Sequence, residues 1–182
     1  MNKIQFVKVR EVKSPVRAFP TDAGIDFFMP KLDETLIRDI LQKNPHSFGG
    51  IQKSSEGTTL YINPGQRVLI PSGIKVWFMD CPPSALIAAN KSGLSTKYGI
   101  QFTAEVVDQS YSGEVHIGIV NLGDQTVRFR EDDKLIQFIH TPIFTSVLEE
   151  VDINYYKATV SNWESSSSEN RGEGGFGSTD KK

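Results

Sequence analysis

The chain is punctuated too often to hold long helices. Its apolar residues fall in short runs, each soon closed by Gly, Pro, Asp or Asn. Residues 4–9 alternate between apolar and polar. Residues 66–70 and 73–78 are apolar runs split by Pro71-Ser72-Gly73. Residues 114–121 alternate again, with Val115, Ile117 and Ile119 on one face and His116, Gly118 and Val120 on the other. In 134–140, Leu135, Gln137 and Ile139 oppose Ile136, Phe138 and His140. A period of two marks half-buried strands. Many short strands at regular spacing, with few helices, predict an all-β fold, an antiparallel β-barrel or jelly roll.

One segment departs from that period. Leu32, Leu36, Ile37, Ile40 and Leu41 share a helical face, Asp33 is positioned to cap its start, and Asn44-Pro45 to end it. Residues 31–58 therefore read as a helical insertion in a β-protein. Its apolar stripe is expected to pack on the barrel, and its other use would be to bind a protein partner. The end of the chain differs in kind. Residues 161–170 contain Ser165-Ser166-Ser167-Ser168 and read as a flexible linker. After it comes Arg171-Gly172-Glu173-Gly174-Gly175-Phe176-Gly177-Ser178-Thr179, too rich in glycine for a regular element. It carries one Arg and one aromatic, a composition suited to wrapping a phosphate and covering a flat ring. The expected organisation is a barrel domain over 1–160 and a linker with a Gly-rich tail over 161–182.

Composition removes several function classes. The 182 residues suit one domain, and the formal net charge is −2 with both signs spread along the chain. No basic tract provides a nucleic-acid footprint or a membrane-surface patch, so phosphate binding would have to come from a local site. Cys81 is the only cysteine, and His46, His116 and His140 are scattered, so a zinc site is not expected. Residues 1–6 lack the apolar core of a signal peptide, and no run reaches membrane-spanning length. A soluble, cytoplasmic protein is the expectation.

The residues that could carry chemistry are few. Asn90-Lys91-Ser92-Gly93-Leu94 combines a cation, a hydroxyl and an unhindered backbone N–H, which together can hold phosphate oxygens, although a plain turn reads equally well. Asp108 ends an apolar strand before the turn Gln109-Ser110-Tyr111-Ser112-Gly113. An acid there can serve as a general base, though such residues more often accept backbone N–H bonds in the turn. Gln137 is polar in mid-strand. No Walker loop and no Ser/His/Asp triad is present.

The order of these pieces is more specific than any one of them. Ala23-Gly24-Ile25-Asp26-Phe27, Lys91-Ser92-Gly93-Leu94, Val106-Val107-Asp108-Gln109-Ser110-Tyr111-Ser112-Gly113-Glu114, Asp133-Lys134-Leu135-Ile136-Gln137 and the glycine-rich tail resemble, in that order, the five motifs of the trimeric dUTPases. The third and fifth are the specific ones. The resemblance implies a distorted jelly-roll β-barrel assembled as a homotrimer with active sites between subunits. One subunit would supply the first, second and fourth motifs, a neighbour the third, and the remaining subunit the tail. Residues 161–171, if extended, could span about 33–36 Å towards such a site.

Residue by residue, the resemblance implies that Asp108 activates the water that attacks the α-phosphorus of dUTP, releasing dUMP and pyrophosphate. Tyr111 would lie under the deoxyribose and exclude a 2′-hydroxyl. A hairpin carrying Thr103, Ala104 and Glu105 would read uracil through its backbone. Lys91, Ser92 and the Gly93 amide would hold phosphate, helped by Gln137. Arg171 would clamp the terminal phosphates, with Phe176 and Gly177 closing over the base. Mg²⁺ would ride on the triphosphate, and Asp26 would touch it only through water. Four departures from the family pattern stand out: Lys91 in place of Arg, Glu105 and Asp132 in place of Gly, and the insertion itself. Two rivals follow, a catalytically weak dUTP-binding regulatory protein using the 31–58 segment, and a dCTP deaminase of the same fold.

Overall fold

In a computed structural model of the chain, residues 3–45 and 48–166 are described. The strands form three antiparallel sheets rather than one closed ladder. The first contains β1 (Gln5–Lys8), β5 (Arg67–Trp77), β9 (Glu114–Asn121) and β7 (Ile100–Phe102), in that order. The second runs β2 (Gly24–Phe28), β11 (Lys134–Pro142), β6 (Ser84–Ala89) and β8 (Val106–Asp108). The third is β10 (Val127–Phe129), β4 (Gly57–Ile62) and β3 (Gly50–Ser54). All three contribute to one apolar core. Phe27 and Phe138, on adjacent strands of the second sheet, meet edge to face with centroids 4.9 Å apart. The expected inward face of β9, Val115, Ile117 and Ile119, is buried against that core. This is the jelly-roll class of architecture expected from the alternation.

Three local differences have physical causes. The apolar runs on either side of Pro71-Ser72-Gly73 form one continuous strand, β5, with a shift of register against β9 between Pro71 and Lys75. Proline removes one donor, and the bulge absorbs the gap without ending the strand. Gly73 makes this possible at φ +74, and its N–H is taken by the Glu114 carboxylate at 2.7 Å.

The inserted segment is only partly helical. Helix α1 (Glu34–Lys43) starts where expected, the Asp33 carboxylate accepting from Leu36 N–H at 2.8 Å, and it buries Leu36 and Ile40 while Leu41 faces solvent. From Gly50 onward it enters the β3–β4 ribbon, whose β4 pairs with β10. Asn44 fastens the end of α1 to β5. Its Nδ2 donates to Leu69 O at 2.9 Å and its Oδ1 accepts from Leu69 N–H at 2.8 Å.

The described residues fall into two units, one up to Phe144 and one from Thr145 onward. In the second, Asp152 Oδ1 accepts from Asn154 and Tyr155 N–H at 2.8 and 3.1 Å and starts helix α3 (Ile153–Ser166). Residues 161–166, read from the sequence as flexible linker, are therefore helical. A helix rises only about 1.5 Å per residue, so this stretch reaches less far than an extended chain.

Candidate active site

Three of the five motifs converge in the second sheet. Asp26 stands on β2 with its side chain 7% exposed. Its Oδ1 accepts from Lys91 Nζ at 2.5 Å and its Oδ2 from Lys134 Nζ at 2.6 Å. Burial alone would push this carboxyl up. The hydrogen bonds from Lys134 and Lys91 outweigh burial and hold it below the ordinary aspartate range. On β11, Gln137 lies opposite Asp26 on one side and Ala89 on the other, and its Nε2 donates to Asn90 O at 2.9 Å. Gly24 leaves room for Gln137, since a Cβ there would come within 3.0 Å of Gln137 Cδ. Lys134 carried no role in the sequence reading, although it sat inside the fourth motif.

Lys91 is the residue before α2 (Ser92–Tyr98), and no side chain caps that helix. Ser92 and Gly93 open it and are exposed. One carboxylate between two ammonium groups leaves this corner with net positive charge, matched to a polyanion. The donor set does not suit a divalent cation held directly by protein, because both Asp26 oxygens already accept from ammonium groups. It does suit a cation that arrives on a phosphate chain and meets Asp26 through water.

The third motif lies elsewhere on the same strand pair. Asp108 ends β8 and is exposed. It pairs with Ala85, near the start of β6, whereas Lys91 follows the end of β6. Six residues of chain separate Ala85 from Lys91, a backbone span of at most about 20 Å at roughly 3.3 Å per residue, so Asp108 and Lys91 of one chain stand towards opposite ends of β6. The turn after Asp108 is tightly made. Tyr111 N–H donates to Asp108 O at 3.0 Å, and Tyr111 Oη donates to Glu114 O at 2.9 Å. The ring lies over Gly113, where a Cβ would sit 2.5 Å from Tyr111 Cζ. Gln109, which the sequence did not single out, donates through Nε2 to Phe78 O at 2.8 Å and Cys81 O at 3.0 Å.

Thr103, Ala104 and Glu105 do not sit in a hairpin. β7 belongs to the first sheet and β8 to the second, so the three residues cross between sheets. Each end is anchored separately. Thr103 N–H donates to Gly118 O at 3.0 Å, and Ala88 N–H donates to Glu105 O at 2.6 Å. All three are exposed, Glu105 included. Asp132 is the only non-glycine residue with positive φ, +68, among the described residues. That is the conformation a glycine would adopt without strain. Arg171, Phe176 and Gly177 lie outside the described residues. So does His46.

The dUTPase family model matches residues 54–180. A deoxyuridine 5′-triphosphate nucleotidohydrolase of Desulfitobacterium hafniense is 30% identical over 137 residues, covering 74% of this chain and 82% of that protein. One from Acinetobacter baumannii is 31% identical over 122 residues, 66% of this chain and 73% of its own. The dUTPase of Staphylococcus bacteriophage 80alpha, solved with dUpNHpp, superposes with TM-score 0.68 at 19% identity over 98% of this chain and 99% of its own. A dUTPase from phage phi11 of S. aureus, in which a structural Mg(II) ion is coordinated, gives TM-score 0.62 at 21% identity over 83% and 97%. No described helix is long and apolar enough to cross a membrane. By its matched length, by its curated relatives and by its fold, the chain belongs to the dUTPase family, the dUTP diphosphatases.

Proposed function

We propose that the protein hydrolyses dUTP to dUMP and pyrophosphate as a homotrimer whose active sites lie between subunits. The observation that carries this reading is the separation of Asp108 from Lys91 along β6. A base and a phosphate clamp at opposite ends of one strand are poorly placed to act on one triphosphate within a single chain, and copies that meet can bring them together. Phe144, Val147 and Leu148 support assembly. They are 100%, 93% and 96% exposed in the single chain, which is costly for apolar side chains that have no partner surface.

In the proposed site the positive corner of Lys91, Lys134 and Asp26 draws in the triphosphate. Lys91, Ser92 and the Gly93 amide bind its oxygens, and Gln137 keeps the Asn90 carbonyl in line. Asp108 of another copy holds a water against the α-phosphorus. The water oxygen forms the new bond to phosphorus, Asp108 takes its proton, and the bond to the bridging oxygen breaks to release pyrophosphate. A positioned base of this kind contributes about 10²–10⁴-fold. Tyr111 packs under the sugar, where a 2′-hydroxyl would collide, and 103–105 offers backbone groups to uracil. A Mg²⁺ ion on the phosphates would neutralise charge on the leaving group, with Asp26 meeting its water shell. Arg171, Phe176 and Gly177 would close the site.

Pyrophosphate release measured across dUTP, dTTP, dCTP and UTP, with and without Mg²⁺, tests this reading. It predicts release from dUTP alone, dependent on the metal. Equal turnover of UTP, or undiminished activity in excess EDTA, contradicts it. Ammonia released from dCTP would mark a deaminase instead.

A further inference from the structure

We propose that Arg10, which lies in none of the five motifs, is a positioning residue for this reaction. Through Glu114 it fixes the Asp108–Tyr111 turn, and through Asp39 it ties that turn to the inserted helix α1. The inference rests on the proposed roles of Asp108 and Tyr111.

The connection is continuous. Arg10 Nε donates to Glu114 Oε1 at 2.8 Å and Nη2 donates to Oε2 at 3.1 Å, a two-pronged grip on one carboxylate. Nη2 also donates to Asp39 Oδ2, on α1, at 2.6 Å. Glu114 Oε1 takes a further donor, the Gly73 N–H at 2.7 Å. Gly73 leaves no spare room, because a Cβ there would fall 3.1 Å from Arg10 Cβ. The three ionic side chains are largely shielded, so water screens their attraction less than it would at an open surface. The bond to Glu114 is the main reason the guanidinium holds its proton more firmly than usual; burial opposes this and Asp39 adds to it.

Beyond Glu114 the same path enters the catalytic loop. The Glu114 carbonyl accepts from Tyr111 Oη at 2.9 Å, and Tyr111 N–H donates to Asp108 O at 3.0 Å. Tyr111 thus takes its position from a residue whose side chain is clamped by Arg10. Asp39 belongs to the insertion. A segment outside the barrel is in this way coupled to the group that faces the sugar.

An ion network that only stabilises the fold would change melting temperature and leave substrate choice alone. The test is therefore selectivity. In the full-length chain, kcat and KM for dUTP and UTP are measured for Arg10→Gln, Asp39→Asn and the double variant, with melting temperature alongside. Arg10→Gln is expected to lower the ratio of kcat/KM for dUTP over UTP by about tenfold, and Asp39→Asn by less. The double variant should lose no more than Arg10→Gln does, because residues acting through one network are not additive. Unchanged selectivity in Arg10→Gln, or losses that add in full, overturns the proposal. Should Arg10→Gln fail to fold, Asp39→Asn decides alone: reduced selectivity supports the proposal and wild-type selectivity overturns it. The unaltered chain separates this inference from the function beneath it. No turnover of dUTP by that chain defeats both, whereas normal turnover with unchanged selectivity in the variants defeats only the role of Arg10.

Discussion

The Lys91 ammonium lies 2.5 Å from the buried Asp26 carboxylate, so the first and second motifs are joined by an ion pair. Lys134 holds the other carboxylate oxygen of Asp26 and makes the corner net positive. Asp26→Asn would leave two ammonium groups facing a neutral amide. It is expected to destabilise the chain by about 2–3 kcal/mol, less than the loss of a fully buried pair because Lys134 is half exposed. KM for dUTP should rise as Lys91 loses its anchor, which steady-state kinetics would measure together with denaturant unfolding. Because the Asp26 carboxyl is held below its ordinary value, its contribution is fully present above about pH 4 and is lost only as pH falls through the folded value. Lys91→Arg should be tolerated, since a guanidinium can keep Asp26 and reach phosphate with its fork.

Asp132 adopts the left-handed conformation at φ +68 between Arg130 and Asp133, whose backbone groups bond to each other across it. The strain is local, and Asp132 makes no charged contact among the described residues that would compensate it. Asp132→Gly should therefore stabilise the protein by about 0.5–1 kcal/mol, in contrast to the usual loss on placing glycine in a chain. Thermal melting would show a midpoint higher than that of the parent. A lower midpoint would mean that the aspartate side chain stabilises this turn by more than its backbone costs.

His140 offers a pH-dependent prediction. Its Nε2 lies 2.9 Å from Ser84 Oγ, and the ring meets Phe78 edge to face at 5.4 Å. Burial, and after it the charge of Arg17, lowers its pKa below the ordinary histidine value. A lowered value favours the neutral ring in the fold, so the unfolded chain binds the proton first as pH falls. Stability should be full above about pH 6.5 and should decline as pH drops from there through the folded value. His140→Gln should flatten this decline when melting temperature is followed between about pH 7.5 and 5. An unchanged slope would assign the acid sensitivity to other groups.

What the sequence made legible was what local pattern controls. The alternation in 114–121 gave β9 and its buried face, and Asp33 gave the start of α1. Features set by distant partners were hidden. The union of two apolar runs into β5 depends on Glu114, forty-one residues away from Gly73, holding its N–H. The ribbon β3–β4 has mostly exposed or half-buried residues on β3, so it lacks a strong period, and the crossing of 103–105 between sheets depends on Gly118 and Ala88. In α3 the serine run masked a helix that Asp152 had already started. The candidate site residues come from the family resemblance, and their hydrogen-bond and ion-pair partners Lys134, Gln109 and Arg10 become visible only in the folded chain.

The central claim is that one active site draws Asp108 and the Lys91 cluster from different copies of the chain. Asp108→Asn and Lys91→Gln should each be nearly inactive when prepared alone. Asp108→Asn should lower kcat by about 10²-fold or more while dUTP binding persists. The deciding measurement is dUTP turnover after the two variants are unfolded together and refolded as mixed assemblies, with mixing verified by mass spectrometry. Some interfaces then bring an intact Asp108 to an intact Lys91, and turnover is predicted to rise well above that of either variant refolded alone. Verified mixed assemblies with no recovered turnover would contradict a site built between subunits.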